Sequence, residues 1–349
     1  MAYTTIDDPS AHFQTITYSG NGASRSITND GNSDLQPDWV WIKERNNSVS
    51  HRIFDSSRGA TKRMFSNNTD AESTQSTSLT AFNTDGFSLG DGGSVNGGSD
   101  TYVAWQWKCN GGTTSSNTDG SITSTVQANT TAGFSIVTYT GNGNDSTVGH
   151  GLGVTPEMFI VKRRTGGTGA WTTYHESVGN TKAMFLDQTN AGDTYVEYFN
   201  NTSPTSSVFS IGQDVSVNSN GNTYVAYCFN NVEGYSKIGS GTGTGTSSTN
   251  FIYTGFKPSW VMIKRTDSAD SWAIFDNKRP SYNVTPNRLF ADLSDAESTS
   301  SSNQIDMVSN GFVARGTSMT WNASSSSFIY MAFAEHPFVS SKGVPTTAR

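Results

Sequence analysis

Two pairs of carboxylates in this 349-residue chain have a spacing that could serve glycoside cleavage: Asp70 with Glu72, and Asp295 with Glu297, each inside an Asp-Ala-Glu-Ser tetrapeptide. A glycosidase needs two carboxyl groups roughly 5–10 Å apart, and residues two apart in a strand share a face. A third, related stretch reads Asn190-Ala-Gly-Asp193 and breaks the pair. Asp and Ser also recur at turns, because their side chains bond nearby backbone amides, and that structural role is the favoured reading. The histidines, His12, His51, His150, His175 and His336, form no His-x-x-x-His or His-Glu-x-x-His pattern, which leaves a metalloprotease-type site without its ligands. No Gly-x-Ser-x-Gly elbow occurs, and Gly239–Gly245 lacks the lysine of a phosphate loop.

Cofactor chemistry is equally sparse. Cys109 and Cys228 are the two cysteines, too few and too far apart for a disulfide framework or a structural zinc site. The loop Asp91–Asn96 offers oxygens that calcium could use, but without the spacing of an EF-hand. The expectation is therefore no cofactor, with calcium as the one ion a polar loop could take. The clearest candidates for binding are a lysine that ends the same strand motif three times, Lys43, Lys162 and Lys264, and the aromatic pair Trp105 and Trp107. Such lysines could meet anionic glycans or acidic neighbours. The alternative is that their stems cover apolar surface at a strand end.

Those strands belong to a repeat. Pro37-Asp-Trp-Val-Trp-Ile-Lys43, Pro156-Glu-Met-Phe-Ile-Val-Lys162 and Pro258-Ser-Trp-Val-Met-Ile-Lys264 are followed in the same order by Arg52-Ile-Phe-Asp55, Trp171-Thr-Thr-Tyr-His175 and Trp272-Ala-Ile-Phe-Asp276. Lys62–Phe65, Lys182–Phe185 and Asn287–Phe290 come next, and the unit closes with Tyr102-Val-Ala-Trp105, Tyr224-Val-Ala-Tyr227 and Tyr330-Met-Ala-Phe333. Opening segments Phe13–Gly22 and Phe134–Gly143 match closely, while Gly234–Gly243 is eroded. Repeats of this kind are read as stacked copies of one unit.

Composition agrees with strands: 33% hydrophobic and 11% aromatic residues, rich in Gly, Ser, Thr and Asn, fit pleated surfaces joined by turns. The proline strand is apolar on both alternating faces, with Trp39 and Trp41 on one side and Val40 and Ile42 on the other. It is expected to be central, with one face in its own core and the other under a loop or a neighbouring domain. The expected fold is all-β, with three tandem antiparallel β-sandwich domains of jelly-roll or lectin-like kind. Their spans are 1–109, 134–229 and 234–338, with a polar linker at 110–133 that leaves the first domain the more mobile, and a tail at 339–349 without a packing motif.

A net charge of −7 without a long basic run argues against nucleic acid as a partner. No apolar stretch approaches the ~20 residues of a membrane span, and the start Met-Ala-Tyr-Thr-Thr-Ile lacks the features of a signal peptide. A polar, adhesin-like surface behind a cytosolic-looking start suggests a particle assembled inside a cell and acting outside it.

The opening Tyr3-Thr-Thr-Ile-Asp-Asp-Pro9 with His12-Phe-Gln, the Gln36–Lys43 strand, the Asp85–Gly90 to Trp105 closure, and Gly133–Gly143 through Gly149–Leu152 resemble a repeat family common in marine tailed bacteriophages, including those of cyanobacteria. Proteins of that family are usually labelled virion, tail-fibre or uncharacterised. The resemblance covers the chain through Phe338 and implies a virion protein. The leading reading is a non-enzymatic surface protein, a fibre, appendage or decoration subunit, that binds other virion proteins and, through loops at its sandwich ends, a host surface glycan. A trimer is expected, because closed symmetric assemblies are the norm for such parts. A capsid cement or adaptor protein and a polysaccharide depolymerase are the rival readings.

Overall fold

Each copy of the repeat lays down the same four strands in the same antiparallel order: opening, closing, proline and short. In copy one these are Phe13–Ser19, Thr101–Trp107, Trp39–Glu44 and Arg52–Asp55. In copy two they are Phe134–Thr140, Thr223–Phe229, Met158–Arg163 and Thr172–His175. In copy three they are Ser236–Thr242, Ser327–Pro337, Phe256–Arg265 and Ala273–Asp276. The computed structural model describes residues 3–247, 250–280, 282–316 and 320–346. The molecule is all-β, with several antiparallel sheets and helices of no more than a single turn among those residues.

Beside each larger sheet lies a smaller one, of which the strands Arg25–Ile27, Phe87–Leu89 and Leu79–Phe82 make up that of copy one. The alternation of the proline strand explains the layering. Val40 and Ile42 face Leu79, Phe87 and Leu89 in a core private to copy one. Copies two and three have matching private cores around Phe159, Val161 and Phe209, and around Val261, Ile263 and Phe312.

The opposite faces meet one another. Trp39, Trp41, Trp105 and Trp107 of copy one, Ile160, Tyr227 and Phe229 of copy two, and Trp260, Met262, Met331 and Phe333 of copy three form one continuous core. Trp39 stacks on Tyr227 with centroids 4.7 Å apart, Trp107 meets Trp260 edge-on at 5.6 Å, and Phe229 meets Phe333 at 6.2 Å. Burying one such aromatic contributes about 1.5–3 kcal/mol, so this core is a major source of cohesion and belongs to no single copy. The second apolar face of the proline strand is thus covered by the other two copies.

Three expectations need correction. Residues 110–133 are not a free linker: Ser115–Asn117 and Ser124–Asn129 form a hairpin added to the edge of copy two's opening strand. Ile122, Ser124 and Val126 point inward while Ser121, Thr123 and Thr125 are exposed, a two-residue period masked by Ser and Thr. Asp38 clamps the start of this segment, its carboxylate accepting the amides of Cys109, Gly111 and Gly112 at 2.7–2.9 Å. Copy one is therefore anchored to copy two rather than tethered to it.

The tail also packs: Val339 bridges to Pro345, and Ser341 N donates to Asp7 Oδ1 at 2.6 Å. Residues 347–349 lie outside the described residues.

The closing motif of copy three is displaced by two residues. Lys43 pairs with Val103, Lys162 with Val225, and Lys264 with Ile329. The counterpart of Tyr102–Trp105 is therefore Phe328–Met331, not Tyr330–Phe333.

Candidate functional site

The three lysines sit where one copy meets the next, and all three are fully buried. Lys162 Nζ donates to Gly169 O at 2.6 Å and reaches Asn68 O of copy one at 3.4 Å. Lys264 Nζ donates to Thr189 O of copy two at 2.9 Å and to Arg265 O at 3.0 Å. Lys43 Nζ donates to Glu44 O at 2.5 Å and Asn47 O at 3.3 Å. Burial pushes each ammonium down to about 8. Trp105 and Trp107 are buried in the shared core, and Trp105 Nε1 donates to Asp276 Oδ2 of copy three at 3.0 Å. All five residues expected to meet a ligand thus face the interior. A strand-end lysine reads as exposed until one knows that a neighbouring copy covers it.

The carboxylate pairs are also drawn into the junctions. Glu72 accepts from Arg164 of copy two at 2.9 and 3.2 Å and from Arg58 of its own copy at 3.0 Å. Arg58 in turn binds Asp55 at 2.5 Å, and Tyr227 OH of copy two donates to Asp55 at 2.6 Å. The junction of copies three and one repeats the arrangement. Glu297 accepts from Arg45 at 3.1 and 2.9 Å and from Arg279 at 3.0 Å, Arg279 binds Asp276 at 2.6 Å, and Trp105 takes the place of Tyr227. Burial opposes ionisation of Glu297, but the bonds from Arg45 and the charge of Arg279 outweigh it and hold the carboxyl at about 2. Asp70 and Asp295 point to solvent. Each pair is split between a structural ion cluster and the surface, so the two carboxylates do not line one cleft.

The junction of copies two and three lacks this cluster. Strand pairing places His175 opposite Met158, as Asp55 lies opposite Trp39, and Gly192 in the position of Glu72. Val178 then replaces Arg58, Thr266 replaces Arg164, and Met331 replaces Tyr227. All five partners change together, the pattern expected of residues that act as one unit. What remains there, beside the bond from Lys264 to Thr189 O, are contacts without an ion pair: Trp272 Nε1 to Phe185 O at 2.8 Å and Asp270 N to Thr189 O at 2.8 Å.

The tryptophan contact recurs at each of the three junctions, which close copies one, two and three into a ring, with His51 in the tryptophan's place at the junction of copies three and one. Trp171 Nε1 donates to Phe65 O at 2.7 Å, and His51 Nε2 meets Phe290 O at 2.9 Å. Trp41 Nε1 donates to His51 Nδ1 at 2.7 Å, which leaves Nε2 carrying the proton. Burial, with the charge of Lys43 behind it, pushes His51 well below its ordinary value. Among the remaining histidines, His150 and His175 are buried, and His12 packs edge-on against Tyr235.

Among the described residues no group of three His, Cys, Asp or Glu side chains comes together as a metal site. The loop considered for calcium instead turns Asn96 inward, donating to Ala23 O at 2.7 Å and Gly90 O at 2.9 Å. Asn218 and Asn322 hold the corresponding loops. These triplicated asparagines escaped sequence reading, although each lies six residues before the aromatic that starts the closing motif.

A loop of copy three also departs from threefold repetition. The loop from short strand to next strand has six residues in copies one and two, 56–61 and 176–181, but ten in copy three, 277–286. The enlarged loop carries Tyr282, the most exposed large hydrophobic side chain among the described residues at 81%. Three adjoining depressions of about 200, 470 and 640 Å³ run from Ser10 and Gln14 of copy one, past Lys278, Glu335 and Tyr282, to Ser309 of copy three. Its charges are matched: Lys257 pairs with Glu335 at 2.7 Å and Lys278 with Asp30 of copy one at 2.9 Å.

Residues 8–337 match the family described as a domain of unknown function, DUF7483. The chain belongs to that family. The match spans all three copies. No curated protein and no solved structure matches the chain.

Proposed function

We propose that the protein is a non-enzymatic surface component of a tailed-phage virion, a fibre, appendage or decoration subunit made of three two-layer antiparallel sandwiches fused around a common core. The observation that carries this reading is the use of the chain's charged side chains. Arg45, Arg58, Arg164 and Arg279, the lysines Lys162 and Lys264, and the glutamates of both Asp-Ala-Glu-Ser motifs, Glu72 and Glu297, are spent on holding copies together, which suits a load-bearing part. The resemblance of the repeat to virion proteins points the same way. Loops at the ends of such scaffolds carry contacts with partners, here other virion proteins and a host surface glycan.

The depolymerase reading loses the carboxylate pair that motivated it. The cement reading is tested together with the main one. A cryo-EM map of the particle is expected to show the chain projecting with the copy-three loop 277–286 free. Copies whose loop 277–286 is buried against capsid protein would favour cement, and a particle lacking the chain would overturn the virion assignment.

A further inference from the structure

We infer that the groove at the junction of copies three and one is a binding site for an uncharged oligosaccharide, with Tyr282 as its stacking platform. The inference takes its biological sense from the attachment role proposed above, and its ligand chemistry from the groove alone.

Three observations converge. The four extra residues occur in one copy of three, so the fold does not require them, yet they add a wall to a groove that crosses between copies. They place an aromatic ring in solvent at 81% exposure, where leaving it unpacked forgoes the stabilisation that burial would give. An aromatic face beside polar side chains matches a pyranose ring, which has an apolar C–H face and a rim of hydroxyls. The polar groups Asn277 and Ser309 both donate and accept. Both lysines of the groove are already neutralised by Glu335 and Asp30, so neither ammonium is free to pair with a uronic or sialic acid. The groove is long and open, which suits a chain of several sugars.

The test uses the full chain and four hexasaccharides, maltohexaose, cellohexaose, chitohexaose and oligogalacturonate, with affinity measured by titration calorimetry and saturation-transfer NMR. At least one of the three neutral probes is expected to bind, with saturation transfer from Tyr282. Tyr282→Ala should weaken that binding roughly tenfold, whereas Tyr195→Ala, a substitution at an exposed tyrosine of copy two, should leave it unchanged. Absence of binding by all three neutral probes at millimolar concentration would overturn the inference. So would equal effects of the two substitutions, or preference for oligogalacturonate. Particle location separates the two proposals: a chain found on the virion that binds no probe defeats the groove alone, while a binding chain absent from the virion defeats the virion reading alone.

Discussion

Gly239 lies directly across the strand pair from Tyr330, where the other copies set Ile16 against Ala104 and Val137 against Ala226. Large and small have changed places. A Cβ on Gly239 would come within 2.7 Å of the Tyr330 hydroxyl, and one on Gly241 within 2.4 Å of the Phe328 ring. The eroded opening strand of copy three is thus an exchange of volume between strands. Gly239→Val alone should destabilise by about 1–3 kcal/mol and Tyr330→Ala alone by about 3–5 kcal/mol. Gly239→Val with Tyr330→Ala should cost less than the sum, as read by urea denaturation.

The ion clusters at two junctions are expected to behave as units. Arg58→Met leaves Asp55 buried without its partner and should cost about 3–5 kcal/mol. Transplanting the whole uncharged set of the third junction, with Asp55→His, Arg58→Val, Glu72→Gly, Arg164→Thr and Tyr227→Met, should be milder than the sum of the single changes. Thermal unfolding of the singles and the quintuple checks this.

Alkaline pH should stabilise the ring. Lys43, Lys162 and Lys264 titrate at about 8 in the folded chain against 10.5 when free. Between those values the unfolded state holds more protons, so stability climbs as pH rises from 8 towards 10, by on the order of 1–3 kcal/mol per lysine. Above 10 the buried tyrosines Tyr18, Tyr139 and Tyr227, which burial keeps protonated, reverse the trend. Urea midpoints across pH 7–11 should therefore peak near pH 10, and a profile that falls from pH 8 onward would contradict the burial of the lysines.

On the acid side, His51 is held neutral far below 6.5. The unfolded chain takes up that proton first, so stability falls as pH drops through 6.5. The other copies show how to remove this dependence, because they combine Ile160 with Trp171 and Met262 with Trp272. Trp41→Met with His51→Trp should remove His51's share of the fall in melting temperature between pH 7 and pH 5 and retain the bond to Phe290 O, while His12, His150 and His175, which burial also holds below the ordinary value, supply the rest.

Copy one should not persist alone. A fragment of residues 1–109 would expose Trp39, Trp41, Trp105 and Trp107 together. It is expected to bind ANS and to lack a near-UV CD signature, whereas beads joined by a flexible linker would yield a folded fragment.

The repeat, the all-β character and the two-sided proline strand were legible because alternation and motif order survive in each copy. What covers the second face was not, since Trp39 and Trp41 look the same under a loop or a neighbouring copy. The inward turn of Lys43 was hidden for the same reason. The shift of the closing motif escaped because Tyr330-Met-Ala-Phe333 imitates Tyr102-Val-Ala-Trp105 in letters, while only pairing to Lys264 reveals the register. The enlarged loop could have been found: Trp272 to Phe290 spans four residues more than Trp171 to Phe185.

A ring assembled from three separate identical chains would carry every loop three times over. Here the copies are covalently joined, so one can acquire an insertion while the other two keep their form, and loop 277–286 appears once per molecule. Each chain therefore offers a single copy of whatever that loop recognises. Firm attachment of a particle would then depend on how many chains it displays and how far apart they stand, and avidity would be governed by the particle's lattice and not by the ring.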